Sequence, residues 1–173
     1  MFRRRFFAIA LALAGFGRRA RAQLANDIRF FPLSRPIRIP LEDVKDLWQP
    51  VPFTAEAMAP ATAKTERRRV LISGVLFRRS GDRSLSALCL TCPHEQCKVD
   101  LITEPARLAE MTGGTAAHPL FECGCHYSVF DPANDGAKVS GETPRGLYRF
   151  RIAGVREGQA EITEIEEVAL FEV

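Results

Sequence analysis

The stretches "CPHEQC", residues 92–97, and "CGCH", residues 123–126, hold four of the five cysteines and two of the three histidines in this 173-residue chain. Thiolates and imidazoles suit zinc and iron, so two short segments that each offer both kinds of side chain predict a metal site. The residue types leave open which metal is bound and which of the six side chains bind it. Whichever metal and ligands are used, the fold must bring the two segments together.

The sequence around these segments predicts an all-β protein. Runs of branched and aromatic residues are typical of strands, and turn residues between two such runs predict a hairpin. Only residues 103–114 have a helical composition, and Gly113-Gly114 would end that helix. Several short strands with regular turns favour a small antiparallel β-barrel or sandwich. The predicted hairpins pair residues 70–79 with 84–90, and residues 147–155 with 160–165.

The spacing of the cysteines and histidines resembles that of the Rieske iron–sulfur family, which has C-x-H in one loop and C-x-x-H in the other. In that family each loop gives one thiolate to one iron and one imidazole to the other iron of a [2Fe–2S] cluster. The resemblance therefore implies a Rieske-type barrel or sandwich with a cluster-binding subdomain of two loops. It also implies four metal and cofactor ligands: Cys92, His94, Cys123 and His126.

The resemblance extends over about residues 70–165 and includes residues 141–144, "GETP", which are similar to the proline loop of the family. Cys97 and Cys125 match the pair that forms a disulfide in the high-potential, quinol-oxidising branch. Ser128 occupies the position whose hydroxyl bonds a bridging sulfide in that branch, and Phe130 stands where a tyrosine usually bonds a cysteine sulfur. Hydrogen bonds to sulfur tune such clusters. With one donor kept and one missing, we expect Ser128 and Phe130 to set an intermediate redox potential.

One other interpretation of these residues is weaker. A structural zinc site could use four of the six side chains, but such sites usually contain C-x2–4-C pairs, and C-x-H is not their usual spacing. Cys89 lies in an apolar run, and we interpret it as a buried, unreactive thiol on a strand. His118 precedes Pro119 in the segment between the two motifs, and we interpret it as a surface-loop histidine.

Residues 1–22 have the layout of an export signal: a positive start, an apolar stretch over residues 6–17, and Ala20-Arg21-Ala22 before a predicted cleavage site. The arginines at 3–5, followed by two phenylalanines, resemble a twin-arginine signal. The leader holds six arginines and no acid, so the basicity of the chain belongs to it and does not indicate nucleic-acid binding. We expect a periplasmic location, or the periplasmic face of the inner membrane if the leader is kept as an anchor.

The rest of the chain divides into a linker and one domain. Prolines bracket polar residues in the predicted linker, residues 23–36, and the Rieske domain is expected over residues 37–173. Residues 55–69 are rich in alanine, threonine and proline and end in three arginines, so we expect a long loop insertion there.

The resemblance implies one-electron transfer by a subunit of an oxidoreductase complex, with no catalytic residue of its own. The first expectation is the iron–sulfur subunit of a quinol-oxidising cytochrome bc-type complex, with a cytochrome b partner and a cytochrome c-type acceptor. The alternative is the small subunit of a periplasmic molybdopterin enzyme, similar to arsenite oxidase, that relays electrons to a soluble carrier. The family usually has Leu-Gly where this chain has Glu95-Gln96, which favours the alternative. A Rieske oxygenase needs two further histidines, and only His118 is left.

Overall fold

Ten strands and two short α-helices make up the part of the chain that the structure, a computed structural model, describes: residues 28–63 and 65–172. Two 3-10 helices cover Leu41–Val44 and Pro132–Asn134. The strands are β1 (Phe30–Pro40), β2 (Val51–Ala59), β3 (Arg68–Arg78), β4 (Leu85–Cys89), β5 (Val99–Ile102), β6 (Leu120–Cys123), β7 (Ser128–Asp131), β8 (Ala137–Ser140), β9 (Phe150–Arg156) and β10 (Gln159–Glu166), and the helices are α1 (Pro105–Thr112) and α2 (Ala169–Glu172).

Six strands form the base sheet, in the order β4-β3-β2-β1-β10-β9, and all neighbours are antiparallel. Its two edges approach each other, because the Cys89 amide donates to the Tyr148 carbonyl at 2.8 Å and Leu88 forms a bridge with Arg149. The sheet is therefore a nearly closed barrel. Its interior is filled by fully buried aliphatic side chains such as Ile72, Leu76 and Ile162. The prediction of an all-β antiparallel barrel is confirmed.

A second, four-stranded sheet is inserted between β4 and β9 and has the order β5-β6-β7-β8. Its segments 90–98 and 124–127 connect β4 to β5 and β6 to β7, and these are the two predicted ligand loops. The sheet packs on the barrel through a shared apolar cluster, in which Val75 and Leu88 of the barrel meet Phe130 of the second sheet. The two predicted ligand loops therefore belong to a separate subdomain, as the resemblance implied.

Both predicted hairpins are present, since β3 pairs with β4 and β9 pairs with β10. The predicted helix is present over Pro105–Thr112, and it ends at Gly113, whose φ of 69° is a left-handed conformation that favours glycine. Strand β4 leads into the first ligand loop and β9 follows the second sheet. The two hairpins therefore precede and follow the segment that contains the site. None of the described helices is long and apolar enough to cross a membrane.

Two predictions of irregular structure are wrong where the structure describes them. Residues 30–36 of the predicted linker belong to β1, which pairs with β10; its register shifts between Pro32 and Ile37, so the strand accommodates the prolines at an irregularity. Residues 55–59 of the predicted loop insertion belong to β2, and residues 68–69 begin β3. Alternate residues of β2 are buried alanines, which have a low strand propensity and gave no strand signal.

The predicted leader, residues 1–22, and the first five residues of the predicted linker lie outside the described residues. The division of the chain into leader, linker and domain stays a prediction.

Candidate metal centre

The first ligand loop, residues 90–98, is a tight hairpin. The Cys92 amide donates to the Cys97 carbonyl at 2.8 Å, and the Gln96 amide donates back to the Cys92 carbonyl at 3.0 Å. Gln96 adopts a positive φ of 60°, which reverses the chain direction. The hairpin places Cys92 at its buried base and Glu95 at its exposed tip.

The second ligand loop, residues 124–127, is a turn between β6 and β7. It begins after Cys123, which pairs with Ser128 across the strands, and it ends at Tyr127, whose φ is 53°. A positive φ is unusual for a bulky residue that is neither asparagine nor glycine. The turn leaves Cys123 buried in the sheet and carries His126 outward to the surface.

The structure brings the four predicted ligands together in two layers. Cys92 and Cys123 are both 1% exposed and lie in the apolar cluster between the sheets. Burial, and to a smaller extent the neighbouring Cys123 thiol, raise the pKa of the Cys92 thiol. A metal must therefore displace a proton from this thiol when it binds. The rings of His94 and His126 form the outer layer, with centroids 4.7 Å apart.

A disulfide between Cys97 and Cys125 joins the two loops, as the resemblance implied. The sulfurs of Cys97, Cys123 and Cys125 all lie within 4.8 Å of one another, so the bond joins the loops beside the buried Cys123 thiol. Disulfides persist in oxidising compartments outside the cytosol. The bond is a covalent link that fixes the position of one loop relative to the other.

The donor set fits a [2Fe–2S] cluster with mixed ligands. Two buried thiols and two imidazoles at the rim match the ligand types of such a cluster. The His94 Nδ1 atom is buried without a hydrogen-bond partner among the described residues. A buried polar atom of this kind is costly unless it has a partner, and a metal ion would supply one. The assignment of these four residues as ligands remains a prediction that the geometry favours.

The hydroxyl of Ser128 is fully buried beside the site. Its oxygen accepts a hydrogen bond from the Thr143 amide at 3.3 Å, so its own proton is available for another acceptor. Gly141 closes over it: a Cβ at Gly141 would lie 2.4 Å from the Ser128 Cα, and the glycine has a φ of 92°. Phe130 is fully buried in the same apolar cluster as Cys92. The roles of Ser128 and Phe130 in tuning the potential stay predictions.

The exposed tip of the site holds an imidazole, a carboxylate and a phenol ring. The side chain of His126 is 37% exposed, and its Nε2 lies 3.9 Å from a carboxylate oxygen of Glu95. Tyr127 beside it is 66% exposed, and the Arg107 guanidinium lies 6.0 Å from its ring centroid. Neither the position of Glu95 beside His126 nor the exposure of Tyr127 was predicted, since both depend on how the loops meet.

The two remaining side chains lie outside the site. Cys89 is fully buried on β4, and burial raises the pKa of its thiol, which agrees with the interpretation as an unreactive core residue. His118 lies on a loop, as predicted, and its side chain is 21% exposed. Its Nε2 lies 2.7 Å from Asp131 Oδ1 and its ring stacks on Trp48, with centroids 5.2 Å apart. Loop position alone could not reveal these partners.

The fold and the two loops, with their thiols and imidazoles, fit an iron–sulfur protein whose cluster has both kinds of ligand. The model of the Rieske [2Fe-2S] domain family matches residues 47–151, more than half of the chain, and the chain belongs to this family. A Rieske domain binds a [2Fe–2S] cluster, and the cluster supplies one-electron chemistry. The protein is thus an electron-transfer protein, and Rieske proteins typically act together with larger redox subunits.

A search of solved structures finds the soluble domain of the Rieske protein II (soxF) from Sulfolobus acidocaldarius. It is 16% identical in sequence, with a TM-score of 0.37, and the match covers 87% of this chain and 78% of that one. No curated protein matches the sequence.

Proposed function

We propose that this chain is the iron–sulfur subunit of a quinol-oxidising cytochrome bc-type complex, and that it passes electrons to a cytochrome c-type acceptor. The observation that supports this function is the layering of the site. The thiols are buried, whereas the imidazole of His126 is 37% exposed at the tip. An exposed imidazole can contact a quinol and then an acceptor protein, and the buried side stays dry. Cys92, His94, Cys123 and His126 hold the cluster in this proposal.

The periplasmic location is part of the same proposal. The arginines at the start of the chain and the apolar stretch that follows support export by the twin-arginine route. The disulfide supports it independently, because such bonds persist outside the cytosol.

The small subunit of a periplasmic molybdopterin enzyme is the second candidate, and Glu95 favours it. The carboxylate of Glu95 is mostly exposed and lies 3.9 Å from His126 Nε2, at the tip that would enter a quinol pocket. Burying a charge in an apolar pocket is costly unless the charge is paired. A tip that meets a polar protein surface would keep this carboxylate hydrated.

The composition of the native complex tests the choice between these candidates. The full-length chain, tagged at its C-terminus and purified from membranes and from periplasm of the source cells, is analysed for haem and molybdenum. We expect stoichiometric b-type haem and quinol-dependent reduction of cytochrome c in the membrane preparation. Molybdenum in equal amount, without b-type haem, would refute the bc-type assignment and support the second candidate.

The substitution Phe130→Tyr tests the missing hydrogen bond. Phe130 is fully buried in the apolar cluster that contains Cys92 and Cys123, so we expect a hydroxyl added there to reach a sulfur of the proposed ligands. Because a hydrogen bond to sulfur stabilises the reduced state, we expect a higher midpoint potential in a redox titration. The control is Phe150→Tyr, which adds the same hydroxyl in the core of the barrel. Equal midpoints in the wild type and the Phe130 variant would contradict this role.

A further inference from the structure

The most deeply buried carboxylate in the described part of the chain lies outside the site. Glu166 ends β10 and is 1% exposed. The Arg149 Nε donates to its Oε1 at 2.6 Å, and the Arg145 Nη2 donates to its Oε2. A buried charge is tolerated when charged partners compensate it, and removing one partner is strongly destabilising. The electron-transfer function described above gives no role to Glu166 and its two arginines.

A chain of hydrogen bonds leads from Glu166 to the site. Arg145 directly follows residues 141–144, and we name residues 141–145 the covering loop. The Thr143 hydroxyl donates to the Arg145 carbonyl at 2.9 Å. The Thr143 amide donates to Ser128 Oγ at 3.3 Å, and Lys138 Nζ donates to the Thr143 carbonyl at 2.7 Å. The base sheet is thus connected to Ser128 through one loop.

We propose that Glu166 is a positioning residue that holds the covering loop against Ser128 and so fixes the direction of the Ser128 hydroxyl. The inference rests on the tuning role that the sequence predicts for Ser128, and it thereby deepens the proposed function, electron transfer by the cluster. Glu166 touches neither a predicted ligand nor the reacting centre. It acts through Arg145 and Thr143.

The geometry at Ser128 explains why the loop position matters. The Thr143 amide occupies one side of the hydroxyl oxygen, so the hydroxyl proton must point elsewhere. The loop can approach this closely because Gly141 has no Cβ. If Arg145 is released, the loop can move away and the hydroxyl can rotate. The donor is then no longer held in one direction.

Glu161 provides a matched control on the same strand. It is also a buried carboxylate, 8% exposed, and it also lies beside two arginines, at 3.2 Å from Arg38 and 3.9 Å from Arg156. Those arginines belong to β1 and β9 and not to the covering loop. Glu161→Gln therefore removes a comparable charge from the barrel without releasing the loop.

Hydrogen exchange of the holoprotein tests directly whether Glu166 holds the covering loop against Ser128. In Glu166→Gln we expect the Thr143 amide to exchange about tenfold faster or more, because a hydrogen bond to a charged group is lost. Glu161→Gln should leave this amide unchanged. Arg145→Met, which cuts the same link from the loop side, should match Glu166→Gln and serves if that variant does not fold. Wild-type exchange at Thr143 in both link variants would overturn the proposal.

The midpoint potential tests the step from the loop to the hydroxyl. We expect Glu166→Gln and Ser128→Ala each to lower the midpoint, and Glu166→Gln to cause no further shift when Ser128 is already alanine. An equal shift with and without the Ser128 hydroxyl would overturn the proposal, since the effect would then be a general loosening. A wild-type midpoint in Ser128→Ala would refute the predicted tuning role of Ser128 and this step, while the Thr143 exchange would still test whether Glu166 holds the covering loop.

Discussion

Replacing Cys123 with alanine is expected to abolish cluster binding, with iron falling from about two atoms per chain to near zero. Cys123 is 1% exposed and lies with Cys92 in the apolar cluster between the two sheets. No other thiol among the described residues can replace it, since Cys97 and Cys125 are joined to each other and Cys89 lies in the barrel core. Iron analysis and the visible spectrum measure the loss.

Cys89→Ala is the matched control for this prediction. It removes the same thiol from an equally buried position that is outside the proposed ligand set. We expect wild-type iron content in this variant and a loss of stability of about 1 kcal/mol, as for a typical point substitution. Full iron content in Cys123→Ala, or loss of iron in Cys89→Ala, would show that the ligand set is wrong.

Removing the disulfide is expected to destabilise the domain by about 3–4 kcal/mol. The bond joins Cys97 to Cys125 at a sequence separation of 28, and closing a loop of that length restricts the unfolded chain by roughly this free energy. Denaturant unfolding of Cys97→Ser and Cys125→Ser, followed under anaerobic conditions, measures the change. The two variants should be equally destabilised, because each removes the same bond.

A reducing agent provides the control for the disulfide. It should lower the unfolding midpoint of the wild type toward that of the two variants, and it should leave the variants unchanged. A wild type that keeps its stability after verified reduction would contradict the prediction. The loops would then be held together by the metal centre and the apolar cluster alone.

The hairpins and helix α1 could be predicted from the sequence because their signals are local. The run around Ser80-Gly81-Asp82 and the run around residues 156–159 carry both the strand pattern and the turn. Gly113 ends the helix because it adopts a left-handed conformation that favours glycine, and a glycine is visible in the sequence. The ligand spacing is equally local, which is why the site could be located before the fold was known.

What could not be predicted depends on contacts between distant residues. Alternate alanines of β2, at positions 55, 57 and 59, are buried because they pack in the apolar core inside the barrel, which many distant residues form. The prolines of β1 are tolerated because the pairing with β10 is irregular between Pro32 and Ile37. The link between Glu166 and Arg145 spans 21 residues and appears only when β10 lies under the covering loop.

A contact at the tip of the site also could not be predicted from the sequence. Glu95 and His126 are 31 positions apart in the sequence, and the disulfide and the two turns bring them within 3.9 Å. The sequence indicated that Glu95 departs from the family pattern. The structure adds that its charge lies next to the exposed imidazole, where a partner would dock.

An EPR-monitored redox titration of the purified domain, with iron and zinc measured in the same sample, tests the central claim most directly. We predict two irons per chain, no stoichiometric zinc, and a reduced-state signal typical of a cluster with thiolate and imidazole ligands, with a midpoint within the Rieske range of roughly −150 to +300 mV. An EPR-silent protein that contains zinc and no iron would contradict the account, because the two loops would then form a structural metal site without electron transfer.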